Sequence, residues 1–254
     1  MINFVGAGPG AEDLITVRGD RLLREADVII FAGSLVNKNL LAVAKKECKI
    51  MDSAGMTLEE VIGEMIAAEK ENKMTVRLHT GDPSIYGAIR EQIDLLEKEG
   101  IAYQVVPGVS SFCGAAAALK AEYTLPEVSQ TVIITRMAGR TPVPEKEEIA
   151  LLAAHQATMA IFLSTGLLSG LRERLLVGGY KEETPAAIVY KATWPEEKVV
   201  YGCVGDLPKM AEENHITKTA LILVGEFLGD DYERSKLYDP TFTHEFREAS
   251  KSCE

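Results

Sequence analysis

The chain has 254 residues, 46% of them hydrophobic and 26% charged, with a formal net charge of −11. A chain of this length buries roughly 70–75% of the surface it exposes when unfolded, enough for one large domain or two of ordinary size. The acidic balance excludes nucleic acid as the main partner, because phosphate binding needs clustered Lys and Arg, and no apolar run reaches the ~18–20 residues of a membrane span. The N-terminus has no basic stretch leading into an apolar run and a cleavage site, so a cytoplasmic location is expected. Cys48, Cys113, Cys203 and Cys253 form no C-x-x-C, and the four histidines are dispersed. No metal site is therefore expected, and the thiols are expected to be reduced and mostly buried.

In chain order, residues 2–5 read as a buried strand running into Gly6-Ala-Gly-Pro-Gly10, with a helix expected from about Thr16. A dinucleotide loop needs G-x-G-x-x-G, a helix starting at the loop, and an acid about twenty residues on. Here the third glycine comes one position early, and Glu12 and Asp13 follow directly. Pro9 lacks the N–H that a pyrophosphate would seek. Each carboxylate would repel a unit negative charge by about 4 kcal/mol at ~4 Å and an effective dielectric near 20. The next strand pattern, 28–31, ends in Phe-Ala-Gly with no acid, and no G-K-[ST] occurs. The loop offers close backbone without a phosphate anchor; a tight turn with no ligand is the alternative.

Thr57 and Glu60 form a capping box, after which Leu58, Val61, Ile62, Met65 and Ile66 share one helical face. Met51, Met56, Met65 and Met74 read as core packing. A strand at 75–78 leads into Thr80-Gly-Asp-Pro-Ser84, and a helix is expected from Pro83, carrying Ile85, Ile89, Ile93 and Leu96 and ending at Gly100. A strand at 103–106 leads into Pro107-Gly-Val-Ser-Ser111 and an alanine-rich helix over 110–120. Four or five buried strands joined by helices predict a parallel sheet with right-handed crossovers. Loops after the carboxyl ends of parallel strands lie on one edge, so the three Gly/Pro loops should converge there. With Asp82 and the hydroxyls of Thr80, Ser110 and Ser111, they describe a neutral-to-negative pocket suited to a cationic or polar ligand.

Residues 121–130 are polar, contain a proline and read as a linker, dividing the chain into domains 1–120 and 121–254. Strands are expected at 131–135, 159–163, 187–190, 199–204 and 220–224. The short link Ala192-Thr-Trp-Pro-Glu-Glu197 suits a hairpin, which makes the second sheet mixed. From 229 onward the chain is polar and without period.

The VGAGPG start, the TGDPSIYG and PGVSS segments and Tyr190-Lys-Ala-Thr-Trp194 resemble, over nearly the whole chain, the tetrapyrrole (corrin/porphyrin) methylases. Phe31-Ala-Gly-Ser-Leu-Val36, residues 78–89 and residues 135–145 place the resemblance among members that act on corrin precursors. The resemblance implies a homodimer of two-domain α/β chains, with an N-terminal parallel sheet, a C-terminal mixed sheet and a cleft between them. It also implies S-adenosylmethionine as methyl donor. Carried over residue by residue, donor contacts are Pro9, Thr80, Gly81, Asp82, Ile85, Ser110 and Ser111, with Leu163, Ala192 and Thr219 or Ala220 in the later segments. Relatives that methylate uroporphyrinogen carry Tyr-Asp-Arg-Leu-Val after the second strand; the acid is absent here, so neither its role nor that substrate carries over. Methyl transfer to an electron-rich carbon needs positioning and exclusion of water more than a base, and no catalytic acid or base is assigned. Arg136 and Arg140 are the candidates for the acidic side chains of a macrocycle, with Arg18, Arg90 and Lys191 behind them. Two readings stay open beside it: a methylase of this fold acting on another tetrapyrrole carbon or a diphthamide-type target, and a non-catalytic tetrapyrrole binder.

Overall fold

A computed structural model describes residues 1–250, Ser34 by its backbone alone. Its contacts divide the chain into two compact units, Met1–Ala115 with Lys191–Glu197, and Ala116–Tyr190 with the chain from Lys198 onward.

The first unit holds five parallel strands, β1 (Ile2–Gly6), β2 (Val28–Phe31), β3 (Lys49–Asp52), β4 (Thr75–His79) and β5 (Tyr103–Val106), in the order β3-β2-β4-β1-β5. Alternation sorts their side chains. Val5, Ile29, Phe31, Val76 and Leu78 pack with Leu22 and Leu23 of α1 (Val17–Glu25). Ile2, Phe4, Val28 and Ile30 pack with Val61, Ile62 and Met65 of α2 (Leu58–Lys70) and Leu96 of α3 (Ile89–Lys98). Strands covered on both faces read as continuous apolar runs, which is why β1, β2 and β4 are legible in the sequence. The edge strand β3, Lys-Ile-Met-Asp, is largely exposed and shows no such run, so no pattern in the sequence marks it.

Thr16 caps α1 by accepting from the Gly19 N–H, and Thr57 and Glu60 complete the capping box of α2. Met65 is fully buried, and Met51, Met56 and Met74 pack against the two cores, as expected. The helix expected from Pro83 begins instead at Ile89. Tyr86 and Ala88 adopt left-handed φ of 56° and 50°, which interrupts a helix whatever the spacing of its apolar residues. Helix α4 (Ser111–Leu119) follows β5.

The second unit has strands β6 (Val132–Arg136), β7 (Thr158–Phe162), β8 (Pro185–Tyr190), β9 (Lys198–Cys203) and β10 (Ala220–Val224), in the order β6-β7-β10-β8-β9. β6 and β7 are parallel and the other neighbours antiparallel, so the sheet is mixed, and β8 and β9 form the expected hairpin. Helices α5 (Ile149–Ala153), α6 (Leu168–Val177) and α7 (Leu207–Glu213) cover it through Ile149, Leu171, Leu175, Leu207 and Met210.

Two expectations concern the whole chain. No helix among the described residues is long and apolar enough to cross a membrane. The thiols are not mostly buried: Cys113 is exposed, Cys48 and Cys203 are half-buried, and Cys253 lies outside the described residues. Cys113 sits in the first turn of α4, just after the loop that follows β5.

Candidate functional site

Strands β4, β1 and β5 are adjacent, with β1 in the middle. Their carboxyl ends therefore carry TGDPS, GAGPG and PGVSS side by side, the convergence the loops implied. The three loops are locked through main chain. Gly8 and Gly81 exchange two hydrogen bonds, 3.3 Å from the Gly8 N–H and 2.9 Å from the Gly81 N–H, with φ of +81° and +61°. A Cβ on Gly108 would lie 2.1 Å from the Gly81 carbonyl oxygen, and one on Gly6 2.5 Å from the Gly108 Cα. Only glycine permits that approach.

Asp82 ties the second loop to the third. One carboxylate oxygen accepts from the Gly108 N–H at 2.8 Å, and the other accepts from the Ser84 N–H at 2.8 Å and from the Ser84 hydroxyl. Burial pushes this carboxyl up, but the Ser84 hydroxyl and the Gly108 and Ser84 N–H groups outweigh it and hold the group below its ordinary value. The carboxylate is thus an anion with its lone pairs engaged, a latch and local charge rather than a free base. Ser110 is buried at the head of α4, its carbonyl accepting from the Cys113 and Gly114 N–H groups. A Cβ on Gly81 would sit 3.6 Å from Ser110 Cα and Ser111 N, so the missing side chain leaves room beside the third loop.

The glycine loop is held from a distance in sequence by Lys191–Glu197. Trp194 Nε1 donates to the Pro9 carbonyl at 3.0 Å, Thr193 Oγ1 accepts from the Ala11 N–H at 3.0 Å, and a Cβ on Gly10 would fall 2.2 Å from the Trp194 ring. Lys191 and Thr193 turn the chain there with φ of 45° and 70°, and Ala192 is buried between them. Thr193 and Trp194 stand in a segment that carries the resemblance, but the sequence assigns neither a role at the site, although Trp194 is the only tryptophan of the chain. Its ring packs on Gly10 too tightly for any side chain there, and its uniqueness in the chain is the signal that could have marked it.

In the second unit, β7 and β10 pair with Ile161 opposite Ile222. Carried on two residues, that register sets Leu163 level with Ala220, which itself pairs with Tyr190. Leu163 is 67% exposed and has a φ of 53°, and Thr219 a φ of 59°. An apolar side chain held open to solvent on a strained backbone is a mark of a contact surface. Arg136 pairs in register with Phe162, one residue short of Leu163. Its guanidinium donates to the Thr141 and Pro142 carbonyls at 3.2 and 2.6 Å, which orders the loop 137–142, and Arg140 stands exposed on that loop. The structure thus gathers Pro9, Thr80, Gly81, Asp82, Ile85, Ser110, Ser111 and Ala192 in the first unit, and Leu163, Thr219, Ala220 and Arg136 at one sheet edge of the second. Of the reserve cations, Arg90 is paired with Asp94 and Lys191 lies 3.5 Å from Glu196 and over the Trp194 ring, while Arg18 is exposed. Among the described residues no group of three His, Cys, Asp or Glu side chains is placed to hold a metal.

A two-unit α/β chain whose glycine loop lacks a phosphate anchor and lies beside an anionic latch has a known counterpart. Residues 1–208 match the model of the tetrapyrrole (corrin/porphyrin) methylases, and the chain belongs to that family. It is 56% identical over 249 residues to the cobalt-precorrin-4 C(11)-methyltransferase of Methanocaldococcus jannaschii, covering 98% of this chain and 96% of the relative. It is 50% identical to the enzyme of the same name from Priestia megaterium, covering 98% of each. Among solved structures, a cobalt precorrin-4 methyltransferase described as a cobalamin biosynthetic enzyme superposes with a TM-score of 0.89 at 49% identity, covering 90% of this chain and 96% of that one. A uroporphyrin-III C-methyltransferase from Thermus thermophilus gives 0.74 at 29% identity, covering 90% and 93%.

Proposed function

We propose that this chain is an S-adenosylmethionine-dependent C-methyltransferase that methylates carbon 11 of precorrin-4 or cobalt-precorrin-4 in cobalamin biosynthesis. The observation that carries it is the identity of half or more, over nearly the full length of both chains, to cobalt-precorrin-4 C(11)-methyltransferases. The absence of an acid after β2, where Ala32 and Gly33 stand, agrees with a substrate other than uroporphyrinogen.

The first unit's loops fit the donor. They present main chain and hydroxyls, leave a Cβ-sized space at Gly81, and carry the anion of Asp82 with no cation among their own residues. Bound there, S-adenosylmethionine supplies a methyl group on a positively charged sulfur. Pro9, residues 80–82, Ile85, Ser110, Ser111 and Ala192 would hold it; Leu163, Thr219 and Ala220 are the further donor contacts that the family resemblance implies. Their chemical contribution is to fix orientation and keep water out, which suffices because the accepting carbon is already a nucleophile. Arg136 and Arg140 would meet the macrocycle's acetate and propionate groups. The homodimer and the cytoplasmic location implied by the family belong to the same proposal.

The test is incubation of the purified protein with labelled S-adenosylmethionine and either precorrin-4 or cobalt-precorrin-4. A gain of one methyl group, located at C11 by NMR, is the expected result; transfer to another carbon, or none, overturns the proposal. Charge reversal at Arg136 or Arg140 is expected to raise the macrocycle KM while leaving S-adenosylhomocysteine affinity unchanged.

A further inference from the structure

Strand β4 carries Arg77 and His79 two residues apart, so both side chains leave the same face of the first sheet, the face covered by α2 and α3. They are 6% and 3% exposed. Both line a recess of about 210 Å³ whose other walls include Ala32, the cap and first residue of α2 (Thr57, Leu58), Ala88 at the head of α3, and Gln92. Its function is not accounted for by the donor loops.

The recess has the chemistry of an anion site. Arg77 donates Nε to the Gln92 side-chain oxygen and Nη1 to the Ile30 carbonyl, each at 3.1 Å. Both acceptors are neutral, and no ion pair among the described residues includes Arg77. Burial draws the guanidinium down to about 10, which still leaves it charged at neutral pH. A buried cation without a counter-ion is costly. His79 lies beside it with Nε2 buried and without a hydrogen-bond partner. Two helices, of 13 and 10 residues, aim their N-terminal ends at the same space, and Ala88 offers α3 no side-chain cap. Each such end carries about half a positive charge. The Glu60 carboxylate accepts from the Thr57 N–H and offsets the end of α2, which leaves the uncapped end of α3; on the lining itself the one further acidic residue is Glu91, exposed at the rim.

We propose that this recess is a carboxylate-binding subsite, taking one acidic side chain of the tetrapyrrole macrocycle between Arg77, His79 and the head of α3. It rests on the reading above that a polycarboxylate macrocycle is the substrate. Planar bidentate pairing makes arginine the natural partner of a carboxylate. His79 Nε2, buried and without a partner, supplies a further contact when the neutral imidazole carries its proton there.

Acetate is the probe. In protein labelled with nitrogen-15 at its histidines, the His79 ring signal, assigned through His79→Gln, should shift saturably with sodium acetate at constant ionic strength. Glu91→Gln, an exposed change that leaves the core intact, should tighten that binding by about twofold or more by removing a nearby like charge. Arg77→Gln should abolish the shift and raise the macrocycle KM about tenfold or more, with S-adenosylhomocysteine affinity within about twofold. Absence of a saturable shift in the unsubstituted protein, or weaker acetate binding in Glu91→Gln, overturns the subsite; these two measurements decide alone if Arg77→Gln does not fold. An acetate shift with no change of macrocycle KM in folded Arg77→Gln also overturns it, leaving a site for a free small anion. An acetate shift in a protein that transfers no methyl to C11 counts against the functional reading instead.

Discussion

Glycines 108 and 63 show how much a single residue's surroundings decide. At Gly108 a methyl group would meet the Gly81 carbonyl at 2.1 Å, backbone against backbone, whereas at Gly63, on the outer side of α2, it would meet nothing within 4 Å. Gly108→Ala is expected to cost about 3 kcal/mol, at the upper end of overpacking, and to abolish donor binding in whatever folds. Gly63→Ala should stabilise by about 0.5–1 kcal/mol through helix propensity. Chemical denaturation of both variants checks the pair. His79 is a second case. Burial, and then the charge of Arg77, hold its imidazole down at about 3. The unfolded chain takes up a proton near 6.5 and the folded chain does not. Stability attributable to this residue is therefore intact above pH 6.5 and lost as pH falls toward 3, at no more than about 1.4 kcal/mol per pH unit. The acid limb of the stability curve should be shallower in His79→Gln than in the unsubstituted protein; parallel limbs would disprove the assignment.

At the scale of elements, the turn between β8 and β9 does more than join a hairpin. Its residues 191–197 count with the first unit, and Trp194 closes on Pro9 and Gly10. Trp194→Phe keeps most of the ring contact and removes one hydrogen bond, so stability should fall by about 1 kcal/mol. Because Pro9 is a proposed donor contact, S-adenosylhomocysteine affinity should fall with it. Trp194 is the sole tryptophan, so its fluorescence reports this contact directly and should change on S-adenosylhomocysteine binding. An unchanged spectrum under saturating ligand would separate the turn from the donor site. The segment before α3 gives the complementary lesson: a proline suited to a first turn and the apolar period extend the helix back to Pro83, but Tyr86 and Ala88 in left-handed conformation break it, and the break places Ala88 at the recess.

For the molecule as a whole, a net charge of −11 faces an acidic substrate. Long-range repulsion and short-range capture differ in their response to salt. Raising ionic strength from about 0.01 to 0.15 M shortens the Debye length from about 30 to 8 Å, which removes the distant repulsion while a partly buried contact is screened far less. kcat/KM for the macrocycle is therefore expected to rise over that range in stopped assays at fixed pH. A steady fall would mean that exposed cations dominate capture, and would favour Arg140 over the buried Arg77.

The sequence by itself determined the class of fold, the runs of β1, β2, β4 and β10, the start of α1, the cap of α2, and the rejection of a phosphate loop. These are short-range matters: apolar continuity, the missing N–H of Pro9, and a threonine three residues before a glutamate are all written locally. Sequence motifs also carried the family. What only the tertiary structure decided is which strands are neighbours and what meets at their ends. That β1 lies between β4 and β5, that Gly108 touches Gly81, that Trp194 reaches Pro9, and that buried Arg77 donates to the Ile30 carbonyl are contacts between residues 27 to 185 positions apart. No local pattern encodes them, because they follow from packing two apolar faces of one sheet at once. The edge strand β3 and the exposed Cys113 escaped for the converse reason, since their surroundings, rather than their side chains, set their burial.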